Sequence, residues 1–137
     1  IMRFASFILI IGLSVGANAS EYADDAFYSD TQTGLLWLAG PDENMTWNDA
    51  AEWVSSLGGD WRLPSRSELS DLFNTGIDIR DAASFDNSGF VVTIWSGESD
   101  GNRAWSMNFF RGSAGGNEYH HMKTVSLDRR ALAVCGL

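Results

Sequence analysis

The chain has 137 residues, enough for one compact domain, and carries nine Lys and Arg against 18 Asp and Glu, a net charge of −9. That sign argues against nucleic acid and anionic membrane surfaces as partners, because a surface that tracks phosphates must be basic. A single cysteine, Cys135, excludes any internal disulfide, and six tryptophans between Trp37 and Trp105 supply large apolar area for a firm core.

The first residues read as an address. Met2-Arg3 is a short basic start, Phe4 to Val15 is apolar, and Ala17-Asn18-Ala19 offers the small residues a signal peptidase accepts. The apolar run falls short of the roughly 20 residues a membrane span requires, so a secretory signal cut after Ala19 is expected, with no span after cleavage. Export of this kind puts the protein outside the cytoplasm, secreted or periplasmic. Cleavage leaves residues 20–137 as a single domain of 118 residues. Arg3 goes with the leader, so eight basic residues face 18 acidic ones, a charge of −10.

Phe27 to Leu38 reads as a hairpin, with a turn at Asp30-Thr31-Gln32-Thr33-Gly34 and a short apolar strand Leu35-Leu36-Trp37-Leu38. A first helix follows, capped at Thr46 with Asp49 three residues on; Trp47, Ala50, Ala51, Val54 and Leu57 share one face, and Gly58-Gly59 ends it. Asn44-Met45-Thr46 is also a glycosylation sequon, but the leader looks bacterial and Thr46 is better used as a cap. A second helix starts at Ser65, whose capping-box partner is Glu68; Leu69, Leu72 and Phe73 face inward and Gly76 stops it.

The second half is strand and turn. Phe90 to Trp95 and Ala104 to Phe109 read as strands joined across Asp100-Gly101. Arg111 to Asn117 reads as a flexible loop, and Lys123 to Leu127 and Ala131 to Cys135 as closing strands around an Asp128-Arg129-Arg130 turn. Two helices followed by an antiparallel sheet make the expected class α+β.

Several motifs occur in a fixed order: Thr33-Gly34-Leu35-Leu36-Trp37, Met45-Thr46-Trp47-Asn48-Asp49-Ala50, Trp61-Arg62-Leu63-Pro64-Ser65 with Glu68-Leu69, Trp95-Ser96, Ala104-Trp105 with Asn108-Phe109, and Ala133-Val134-Cys135. Together they resemble the C-terminal domain family of the Lcl collagen-like adhesins. The resemblance implies a C-type-lectin-like fold, related in shape to sulfatase-modifying factors, with two short helices on a twisted antiparallel sheet and long loops. It also implies an extracellular binding module, in some members for sulfated polysaccharide, and no reaction. Its structural signature here is Trp37, Trp47, Trp61, Arg62, Pro64, Glu68, Trp95 and Trp105. Members commonly pair a cysteine in the first helix with one in the last strand. The resemblance places that helix position at Val54, so Cys135 is expected buried, unreactive and against Val54.

Within this frame Trp61-Arg62-Leu63-Pro64 is a joint. Pro64 keeps Leu63 extended ahead of the Ser65 cap, Trp61 can plug the gap between helix and sheet, and Arg62 is expected to meet Glu68 or backbone carbonyls. Chemistry finds little support: the paired cysteines of the sulfatase-modifying relatives are missing, no Gly-x-Ser-x-Gly elbow exists, and the only histidines are the adjacent His120 and His121. A metal-assisted hydrolase is the distant third reading. Glu98, Asp100 and Asn102 could offer oxygens to calcium, but Asp100-Gly101 is also what a hairpin turn requires. No cofactor is otherwise expected. The leading reading is a non-enzymatic binding or adhesion module for an extracellular glycan or protein, met by the loops Ser96–Arg103 and Arg111–Lys123. Arg103, Arg111, Asn117, Tyr119 and His120 are its candidate ligand-binding residues. The alternative is a structural part of a cell-envelope or surface assembly with no small ligand.

Overall fold

A computed structural model describes residues 22–86, 91–110 and 117–137. The proposed leader, Arg111 and the rest of 111–116 lie outside the described residues, as does the side chain of Asn117.

After a short 3-10 turn at Ala23–Asp25, the expected hairpin forms from β1 (Tyr28–Asp30) and β2 (Leu35–Ala39). Gly34 closes its turn at φ 75°, a conformation that glycine adopts without Cβ strain, while the Asp30 carboxylate accepts the Gln32 and Thr33 amides. Both expected helices are present, α1 (Trp47–Leu57) and α2 (Arg66–Asn74), and both carry complete reciprocal capping boxes, Thr46 with Asp49 and Ser65 with Glu68. Thr46 is therefore used as a cap. A third short helix, α3 (Ile79–Ala82), was not anticipated; Asp78 caps it by accepting the Arg80 and Asp81 amides.

The strands β3 (Val91–Asp100), β4 (Arg103–Phe110), β5 (Asn117–Met122), β6 (Arg129–Arg130) and β7 (Leu132–Gly136) complete two sheets. One is ordered β1-β2-β7 and the other β5-β4-β3-β6. All pairings are antiparallel except β3 with β6. The α+β class therefore holds, with three helices and two sheets among the described residues.

The core divides along the two faces of these sheets. On one side α1 packs Ala50 and Val54 with Leu36, Leu38, Trp61, Trp95, Ala133 and Cys135. On the other, Leu69 and Leu72 of α2 pack with Trp37, Ile94, Met107, Phe109 and Val134. Alternation along β2 explains the division: Leu36 and Leu38 go one way and Trp37 the other. Cys135 is buried and unpaired, as expected, and belongs to the same core cluster as Val54. Burial, with Asp60 acting in the same direction, pushes its thiol pKa up, which keeps the sulfur a small hydrophobe.

Three expectations need correction. Ser96–Arg103 is not a long loop: β3 runs to Asp100 past a register irregularity between Trp95 and Ser99, and only Gly101-Asn102 turns the chain into β4. The candidate segment Arg111–Lys123 contains a strand, because residues 117–122 ladder onto β4 over six pairs, which puts Tyr119 and His120 on β5. Lys123 to Leu127 is a turn and not a closing strand. Val125 donates to Met122 and Arg129 to Ser126, and Asp128 takes φ 59° to start the parallel pairing of Arg129 and Arg130 with Thr93 and Ile94.

Candidate functional site

The Trp61-to-Glu68 stretch is a joint, built as follows. The Arg62 backbone exchanges both hydrogen bonds with Val134, at 3.0 and 2.8 Å, stitching the connection between α1 and α2 to β7. Its guanidinium makes a fork-on-fork pair with Glu68, Nη1 to Oε1 at 2.8 Å and Nη2 to Oε2 at 2.7 Å. Glu68 Oε1 also accepts the Ser65 amide at 2.8 Å, so one carboxylate closes the cap of α2 and anchors Arg62. Each partner stabilises the other's charged form: the Arg62 pKa is raised and the Glu68 pKa lowered, chiefly by this pair. The Pro64 carbonyl accepts the Gly97 amide at 2.8 Å, which ties the joint to β3. Trp61 is buried and fills space by shape alone, its Nε1 having no partner.

The other signature tryptophans are structural too. Trp95 donates Nε1 to the Met45 carbonyl and Trp47 to the Ser96 carbonyl, both at 2.9 Å, and Lys123 Nζ lies 4.3 Å from the Trp47 ring centroid. Trp37 is a buried core residue.

Trp105 is half-buried. It stacks on His120 of β5 with centroids 4.6 Å apart, and the Arg66 guanidinium lies 3.8 Å from its ring centroid. Arg66 is held there by Glu118 at 2.8 Å and by Glu98 at 3.9 Å, and its backbone amide donates to Glu98 Oε2 at 2.8 Å. Glu98, one of the three calcium candidates, is thereby engaged, while Asp100 and Asn102 belong to the hairpin turn. No group of three or more His, Cys, Asp or Glu side chains gathers for a metal among the described residues.

The candidate ligand residues separate by face. His120 and Glu118 point with Trp105 toward the α2 side, whereas Tyr119 and His121, 5.5 Å apart by ring centroid, project from the opposite face. Arg103, at the start of β4, is exposed and donates to the His120 carbonyl at 3.3 Å. Asn117 opens β5 opposite Asn108.

Sequence reasoning missed what lies on the Tyr119 face. Register sets Arg129 beside Thr93 and Thr93 beside Asn108, then in the next row Trp95 beside Ser106 and Ser106 beside Tyr119. Thr93 donates to Asn108 Oδ1 at 2.6 Å, and Arg129 lies over the Trp95 ring at 5.8 Å. Ser106 Oγ and Arg129 Nε are buried and make no hydrogen bond. Burial lowers the Arg129 pKa, opposed only by Asp128; the His121 pKa falls through burial and then through the charges of Arg129, Arg103 and His120. The basic pair Arg129-Arg130 was the visible signal, but its placement depends on a parallel pairing that short-range patterns do not reveal.

No curated protein and no solved structure matches the chain. The sequence model of the Lcl C-terminal domain matches residues 26–129, a span that includes the three helices, the joint and strands β1 to β6 up to Arg129. The chain belongs to the Lcl C-terminal domain family.

Proposed function

We propose that the protein is a non-enzymatic binding or adhesion module, secreted or periplasmic, that recognises an extracellular glycan or protein on the Tyr119 face of its larger sheet. One observation carries this reading. The charged side chains of the Arg62 joint satisfy one another, whereas two of the four buried polar atoms without partners among the described residues, Ser106 Oγ and Arg129 Nε, share a sheet face with the exposed Tyr119; the other two, Trp61 Nε1 and His120 Nε2, lie apart from that face. A fold gains nothing from such groups, and a ligand that pairs with them does. The location rests on the leader-like residues 1–19, and a C-type-lectin-like architecture, in which ligands meet variable surfaces of a shared frame, fits the same reading.

The reading without a reaction is supported by where the reactive groups sit. His120 is stacked on Trp105 with its Nε2 buried, His121 leans against Tyr119, and the Cys135 thiol is buried with its pKa raised. The test is a screen of the full chain against arrayed glycans and extracellular-matrix proteins, with and without calcium. Saturable binding to an arrayed ligand is expected. Failure to bind any of them, with turnover of a hydrolase substrate panel instead, would reverse the assignment. The acidic balance further predicts weak retention on heparin at physiological salt.

A further inference from the structure

The arginines of this protein are unequally provided for. Arg62 has Glu68, Arg66 has Glu118 and Glu98, and Arg130 has Asp42 at 3.0 Å. Arg129 forms no ion pair among the described residues, although acidic residues outnumber basic ones two to one. Its Nη1 donates to the Leu127 carbonyl at 2.8 Å, which fixes the guanidinium and leaves the buried Nε edge without a partner. That edge of a guanidinium presents two parallel N–H groups, the geometry that takes both oxygens of a carboxylate. Along the same face lie the unpartnered Ser106 hydroxyl, the Asn108 amide and the exposed ring of Tyr119.

We infer that this face holds a sugar bearing a single carboxylate, with the carboxylate on Arg129, the hydroxyls on Ser106 and Asn108, and the ring against Tyr119. The proposal rests on the binding-module reading and specifies its ligand class. Charge decides between one carboxylate and a polyanion: the surrounding chain at −9 repels each additional negative group. Hydroxyl and amide donors beside an aromatic ring suit a sugar frame better than an apolar acid.

Calorimetric titration of the full chain with D-glucuronate, D-glucose, a heparin tetrasaccharide and an N-acetylated tripeptide acid tests this. Glucuronate is expected to bind saturably and glucose not at all. R129Q is expected to weaken glucuronate by about tenfold or more, because a charged hydrogen-bond donor is lost. R129K keeps the charge without the fork and is expected to weaken it by about threefold. R66Q, on the opposite face, should leave affinity within about twofold. Should R129Q unfold, Y119A provides the same decision from the exposed rim, with an expected loss of about fivefold from removal of the ring platform. Equal affinity for glucose, tighter binding of heparin or of the peptide acid, or glucuronate binding unchanged in both R129Q and Y119A would each overturn the proposal. Glycan binding on the array that ignores R129Q would leave the binding-module reading standing and remove only this site.

Discussion

Arg62 and Arg129 are both tied to the strands that close the sheets, the first exposed and the second half-buried, and the fold treats them in opposite ways. Arg62 meets a carboxylate fork that is itself a helix cap, and its pKa is raised; Arg129 meets one carbonyl and an aromatic ring, and its pKa is lowered. A cation held for the fold is supplied with its counter-ion. A cation left half-desolvated without one costs stability that the fold does not recover, and such costs concentrate where a ligand acts. The contrast also shows that arginine in a family signature need not mean a site: the signature arginine is the structural one.

The largest break in this comparison should come from the joint's plug. Trp61→Ala is expected to destabilise the protein by about 3 kcal/mol, at the low end for a buried tryptophan because the indole N–H has no partner to lose. Chemical denaturation measures it, and a loss below about 1 kcal/mol would mean the gap between helix and sheet is filled by something else.

Glu68→Ala should cost about 1–2 kcal/mol, mostly through the lost cap of α2. The ion pair adds less than its geometry suggests, because the Arg62 side chain is 52% exposed and water screens it. The Glu68 pKa is lowered in the folded state, so its contribution is complete above the ordinary glutamate range and is lost as pH falls through the depressed value. Wild-type melting temperature should therefore drop on the acid side of that range more steeply than that of the Glu68→Ala variant. Parallel acid profiles would remove Glu68 from the account. Arg62→Gln, with the cap intact, should cost less than about 1 kcal/mol.

The smallest effect should carry the opposite sign. Arg129→Met keeps the stem against Trp95 and removes a desolvated charge, so thermal stability should be unchanged or raised by up to about 1 kcal/mol. A loss of 2 kcal/mol or more would make Arg129 a second structural arginine.

Local physics in the sequence accounts for the parts of the fold that could be read in advance. Both capping boxes, the Gly34 turn and the buried face of α1 follow from contacts three or four residues apart, and the Arg62–Glu68 pair spans only six. Elements made by distant pairing were not legible. The segment 117–122 becomes a strand only because β4 is there to receive it, and its Glu-Tyr-His-His core lacks the apolar alternation that marks a half-buried strand. Arg129 looked like part of a turn because its partner Thr93 lies 36 positions away in a parallel pairing. The candidate site shared this limit. Tyr119 is exposed, but His120 faces the other side of the sheet, and Ser106, Asn108 and Arg129 join Tyr119 only through register.

The most direct test pairs two readouts on two single variants, Arg62→Gln and Arg129→Gln: a thermal melt and a glucuronate titration of each. The account predicts a crossed result, in which Arg62→Gln lowers the melting temperature and binds like wild type, while Arg129→Gln melts at or above the wild-type temperature and loses binding. Binding lost in Arg62→Gln at an unchanged melting temperature, with Arg129→Gln still binding, would contradict it.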